Sequence, residues 1–130
     1  MINQGGITIV SGVTKNNILI APELAFTLPC KVVNTGMSAD SDGKKIIKAG
    51  TPLVGDLKAR DTAFTAATAS TTSGIAGIIL HDVDVTAAGN KNATVVVAGF
   101  VDETKLDSSV QTIVDTAGVA TAMPKIVLVK

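Results

Sequence analysis

The residues best equipped for chemistry in this chain stand in one short run: His81, Asp82 and Asp84. An imidazole beside two carboxylates is the raw material of general acid–base catalysis or of a metal site. On an extended strand, successive side chains point to opposite faces, so Asp82 and Asp84 share one face and His81 takes the other. The three converge only if the strand bends, and a metal needs ligands from more than this one segment. The competing reading is a polar strand end running into a loop, which needs no chemistry. Other catalytic signatures are missing from the sequence. It has no G-x-S-x-G elbow and no glycine loop of the Walker or Rossmann type. Asp40–Gly43 (DSDG) opens like a calcium loop, but no acidic residue closes the pattern. Cys30, the one cysteine, rules out an intramolecular disulfide and reads as a small buried hydrophobe. No enzyme class is supported by the residues, and neither a metal nor a cofactor is expected.

The elements that would hold these residues form the centre of the chain. Gly74–Val85 (GIAGIILHDVDV) and Thr94–Val101 (TVVVAGFV) are short apolar runs bounded by turn residues, the pattern of buried strands. Thr86–Ala93 between them is polar and carries Gly and Asn, so the two runs are expected to pair antiparallel across a loop. Upstream, Ile7–Val10 and Asn17–Ala21 are short apolar pieces, Glu23–Pro29 reads as irregular, and Lys31–Asn34 as a strand. Thr35–Gly43 reads as a polar loop and Lys44–Lys48 as a strand. Ala49–Pro52 reads as a turn with Pro at a central position. Pro52–Leu57 follows as a short strand with Gly55 as a bulge or close-contact point. Asp61–Ser73, rich in Ala and Thr, reads as a surface loop whose Phe64 tucks into the core, with a weak helix as the alternative. Downstream, Val110, Ile113, Val114 and Ala117 have helical spacing. Ser108 and Gln111 form a capping box, Asp107 is an alternative cap, and Gly118 is placed as the terminator. Lys125–Lys130 closes as a strand entered through Pro124. Many short strands with one helix predict a mainly β domain, small and barrel-like.

Composition narrows the functions. The 130 residues fit one domain. Three Phe, no Tyr and no Trp leave little for stacking on bases or sugars. Eleven basic and eleven acidic residues cancel, whereas nucleic-acid binders carry a basic surplus. No stretch approaches the ~18 apolar residues of a membrane span, and Met1–Val10 lacks the form of a signal peptide. The charges are unevenly placed: residues 31–61 hold six bases against four acids, and residues 81–115 six acids against two bases. That pattern fits complementary faces between neighbouring copies, or solvated loops that differ.

The run from Gly74 to Leu106 is similar to the core of phage head decoration proteins of the lambda type. In that family a "small-x-GI-L-x-DVD" strand, a variable loop and a "V-V-x-G-V-V/F" strand lead into a short "N/D…L" segment. Gly74, Gly77, Ile78, Leu80, Asp82, Val83, Asp84, Gly99 and Leu106 carry the likeness here. KAGTPLVGDL, residues 48–57, resembles the family's "G-T-L-G-x-L" strand, and PKIVLVK resembles the last strand of the related head-fibre proteins. Together these cover about half of the chain. Leu106–Pro124 departs from the pattern, with a helix where many relatives have a short Pro-rich link.

The resemblance implies a β-clip-like domain that sits as a homotrimer on the outside of a phage head. There it binds the major capsid protein and stabilises the shell without nucleic acid, membrane or cofactor, after synthesis in the host cytoplasm. Residues 1–21 are then an N-terminal arm or first strands, and 22–130 a single decoration domain. Ile2, Ile7, Ile9 and Val10 are the candidate capsid-binding residues. Ile7 and Ile9 share a face of an extended segment that is expected to order against a shell, or else to be the first strand of the domain's own sheet. The rival class is a small β-clip-type ligand-binding or enzyme domain seeded on His81, Asp82 and Asp84. A subunit of another surface assembly, such as a pilus or tail, is a third.

Overall fold

The computed structural model of the chain describes residues 18–71 and 73–129. Ile2, Ile7, Ile9 and Val10, with the arm they belong to, lie outside the described residues.

The fold is mainly β. It is built on the strand β7, Lys91–Asp102, whose run of β-branched residues suits a pleated, buried surface. One edge of β7 pairs antiparallel with β1, Phe26–Val32, from Val32 opposite Lys91 to Phe26 opposite Ala98. The other edge is shared. β5, Ile75–Ile79, pairs antiparallel through Ile78–Val96 and Ile79–Val95. Further along, β8, Ile126–Val129, pairs parallel from Gly99–Ile126 to Asp102–Val129. The sheet continues from β5 to β3, Pro52–Val54, and to β4, Thr65–Ala66. Phe64, just before β4, then bridges to Val32 of β1: Phe64 N–H donates to the Lys31 carbonyl at 2.7 Å, and Val33 N–H to the Phe64 carbonyl at 3.1 Å. The sheet therefore closes on itself as a small barrel. A two-stranded ladder of β2, Ile46–Ile47, and β6, Val83–Asp84, stands beside it.

Alternation along the strands divides the apolar residues between the two faces of this sheet. Ile79, Val95, Val32, Leu53 and Phe64 point inward and are joined by Ile47 and Val85 from the small ladder. Ile78, Val96 and Val101 point outward and are covered by helices α1, Ser108–Val114, and α2, Ala117–Thr121. Ile18 and Leu19 belong to this outer core as well.

Several sequence expectations are corrected. Gly74–Val85 is not one strand. It bends at Leu80–His81, because β5 belongs to the barrel and β6 to the ladder with β2. The loop after it is shorter than Thr86–Ala93, since pairing with β1 draws Lys91 into β7. The strand read at Lys31–Asn34 starts at Phe26 and ends at Val32. Pro29 is accommodated within it because β1 has β7 on one side only over that stretch, so the missing N–H costs no ladder bond. Only Ile46–Ile47 of Lys44–Lys48 is strand. In the following turn Gly50, at φ 90°, takes the central position that favours glycine, and Pro52 instead opens β3. Residues 55–57 have left the strand, and Leu57–Ala59 is a 3₁₀ turn capped by Asp56. Asp61–Ser73 contains strand β4, and Phe64 is fully buried as expected. The single helix read from Ser108 is two: α1 is capped by Asp107 and stops at Val114, and Gly118 lies inside α2. Gln111 completes no capping box, because its side-chain amide donates to the carbonyls of Glu103 and Leu106, both at 3.0 Å.

Candidate functional site

His81 sits in the bend between β5 and β6, and Asp82 and Asp84 follow it, their carboxylates going to different turns. Asp82 Oδ1 accepts the Ala49 N–H at 2.7 Å, holding the Lys48–Thr51 turn against the barrel. Asp84 Oδ1 accepts the Thr86 N–H at 2.9 Å, starting the loop to β7. The hydroxyl and backbone N–H of Thr86 hold Asp84 below the usual carboxylate range. His81 is half-buried at the bend. Both carboxylates thus serve turns of the backbone. Among the described residues, no three of His, Cys, Asp and Glu gather as a metal-binding group.

The residues that carry the family likeness take packing positions. Gly77 lies where β5 crosses closest to β7, and a Cβ there would collide with the Val96 carbonyl oxygen. Leu106 is buried over Gly50, where a Cβ would collide with Leu106 Cδ2. The two motif segments, one around Gly50 and one ending at Leu106, therefore touch in space. Ile78 is fully buried and Gly99 is buried within β7. Leu80 donates its N–H to the Thr94 carbonyl at 3.0 Å, and Val83 is half-buried in β6. Gly74, exposed, takes a positive φ just before β5.

Three surface features were not anticipated from sequence. The first is an apolar face at the far end of β7. Ile20 N–H donates to the Phe100 carbonyl at 3.0 Å, and Phe100 is paired with Val127. Ile20, Phe100 and Val127 thus form a row across three neighbouring backbones, and they are 50%, 43% and 45% exposed. Phe26, opposite Ala98, and Val129, opposite Asp102, extend the same face by one position at either end. Leu24, the most exposed large apolar side chain here, sits beside them in a 3₁₀ turn. Single exposed apolar residues are ordinary, but a contiguous group marks an interaction surface.

The second feature is a cleft of about 430 Å³ between the start of β5 and the α2–β8 connection. The third is a polar cavity of about 370 Å³ bordered by Lys31, Lys58, Arg60 and Asn92, with Asp61 at its edge. Arg60 is fixed there by an Nη1 hydrogen bond to the Pro29 carbonyl at 2.9 Å. Cys30 lies in its wall; burial raises the thiol pKa, and the Arg60 charge partly opposes the rise. A thiol held protonated is a poor nucleophile. The apolar face had a partial signal in the sequence, since Ile126–Val129 is uniformly apolar where a half-exposed strand would alternate. The cleft had none, because it exists only where β5 and β8 part company along β7.

No known protein-family model matches the chain, and no curated protein matches it.

Proposed function

We propose that the protein is a structural, non-enzymatic component of a phage virion, a decoration protein or capsid-bound base of a head fibre that binds the outside of the shell and stabilises it. The observation that carries this reading is the contiguous apolar face formed by Ile20, Phe26, Phe100, Val127 and Val129. It is a surface suited to packing against another protein. It lies beside Ile18–Ile20, the first of the described residues. The ordered likeness of Gly74–Leu106 supports the choice of a capsid as that partner. The carboxylates of Asp82 and Asp84 are engaged with backbone N–H groups, which leaves little for the rival catalytic reading.

Co-sedimentation with expanded capsids is the test. Saturable binding to the shell, with a rise in the temperature at which the shell opens, is expected. Failure to bind any expanded shell removes the proposal.

A further inference from the structure

The cleft beside β5 stands independently of the capsid reading. β5 pairs with β7 only at Ile78 and Ile79, and β8 joins β7 only from Gly99 onward. Between those limits the two strands diverge, and Val97 of β7 forms the floor. Two register shifts produce the gap. On β7, Phe26 and Thr27 of β1 stand opposite Ala98 and Val96, leaving Val97 as the extra residue. On β5, Leu53 and Val54 stand opposite Gly77 and Ile75, leaving Ala76 as the extra residue. Such bulges end pairing and re-aim the chain. β7 still lies against Gly77, through the Val96 carbonyl, but Ile75 and Ala76 have no paired strand on their β7-facing edge among the described residues. Ile75, Ala76 and Ile126 line an apolar interior.

The rim supplies charge. Lys58 and Lys125 are both exposed at the cleft. Asp56 also borders it, but its Oδ1 accepts the Lys58 backbone N–H at 2.8 Å and caps that turn. We infer that this cleft accepts an extended peptide of another protein, added as a strand along β5, with small apolar side chains and an acidic end held between Lys58 and Lys125. Strand addition supplies main-chain hydrogen bonds for affinity, and side-chain pockets supply selectivity. The chain's own first seventeen residues fit poorly, since they contain a lysine and no Asp or Glu. An acyl chain would fill the apolar interior but leave the strand edge without partners.

The test uses the full chain, isotope-labelled for amide NMR, with two fluorescent hexapeptides of alternating valine and alanine. One ends in two aspartates and the other in two asparagines. Two exposed lysine–carboxylate pairs predict about a tenfold preference for the acidic peptide at low salt, eroding as salt is raised. The double variant Lys58→Gln, Lys125→Gln is expected to bind both peptides alike, with its amide spectrum otherwise intact. Shifts are expected at Ala76, Val97 and Ile126. Equal affinity of the wild-type protein for both peptides overturns the inference. So does an absence of binding at millimolar peptide, or shifts centred on Phe100 and Val127. Decanoate shifting the cleft amides while neither peptide does so makes it an acyl-chain site and overturns it as well.

Discussion

At the scale of single residues, short polar side chains here are spent on backbone donors. Asp82 is the clearest case: it reaches across to the Ala49 N–H, and that bond ties the bend after β5 to the turn before β3. Asp82→Ala is expected to lower stability by about 1 kcal/mol, the scale of one hydrogen bond, read as a lower urea midpoint with an unchanged slope. A loss within error would mean that the bond does not hold this turn. Glycines impose the opposite demand, that nothing be added. Gly77→Ala would force a Cβ onto the Val96 carbonyl oxygen, so β5 and β7 must separate. About 1–3 kcal/mol of destabilisation is expected, as for other overpacked sites, and thermal melting measures it. Titration follows from the same caps. Asp107 is held below the usual carboxylate range by the hydroxyl and then the backbone N–H of Ser109, and Asp102 by Thr104 in the same way. With Asp84, these three have native pKa values below their unfolded ones. Their contribution is therefore complete above the unfolded value of about 3.9 and is lost as pH falls through the native values. The urea midpoint should fall as pH drops below about 4, and the triple Asp→Asn variant should fall less. An equal fall in both proteins would assign the acid sensitivity to other groups.

Elements were legible where their signal is local. The two central strands show as apolar runs because both faces of β5 and β7 are covered, by the barrel interior on one side and the helices on the other. The helical spacing of Val110, Ile113 and Val114 was equally plain. What could not be read is decided by partners distant in sequence. Phe26–Pro29 looks irregular until β7 lies beside it, and Thr65–Ala66 is strand only because β3 pairs with it. The break between α1 and α2 has a local cause that spacing does not reveal. Thr112 and Thr116 bond their hydroxyls to carbonyls four residues back, and Asp115 and Thr116 close α1 with backbone bonds before Thr116 caps α2. The candidate site divides likewise. His81, Asp82 and Asp84 were visible as residue types, but the use of the two carboxylates in separate turns needed the fold. Phe64 tests barrel closure at this scale. It is buried inside the closed sheet, its ring fills the space that a Cβ on Gly55 would take, and its backbone joins β4 to β1. Phe64→Ala is expected to cost about 3–5 kcal/mol, while Leu24→Ala, two-thirds exposed, should cost under about 0.5 kcal/mol. Similar losses in the two variants, by chemical denaturation, would argue against a filled barrel interior.

For the whole molecule, the question is which surface meets a partner. The net charge of zero gives no long-range pull toward a polyanion. The Lys48–Asp107 ion pair, at 3.8 Å, joins two half-exposed side chains and contributes little to holding the domain together. Apolar contact is left as the main source of association, and the face of Ile20, Phe100 and Val127 is where such contact is offered. Three proteins separate its role from that of the preceding segment: wild type, a deletion of Met1–Val10, and the double variant Phe100→Ser, Val127→Ser. If face and segment both meet a shell, each altered protein should melt close to wild type when free, yet bind expanded capsids at least about tenfold more weakly, as truncation of central interface residues does. The double variant is informative because both residues are nearly half exposed, so less stability rests on them than on the buried core. A deletion that melts markedly earlier with no capsid present would instead make Ile7–Val10 a strand of the domain's own sheet. A double variant that binds shells like wild type would move the contact away from this face, and the deletion alone would then report on the segment.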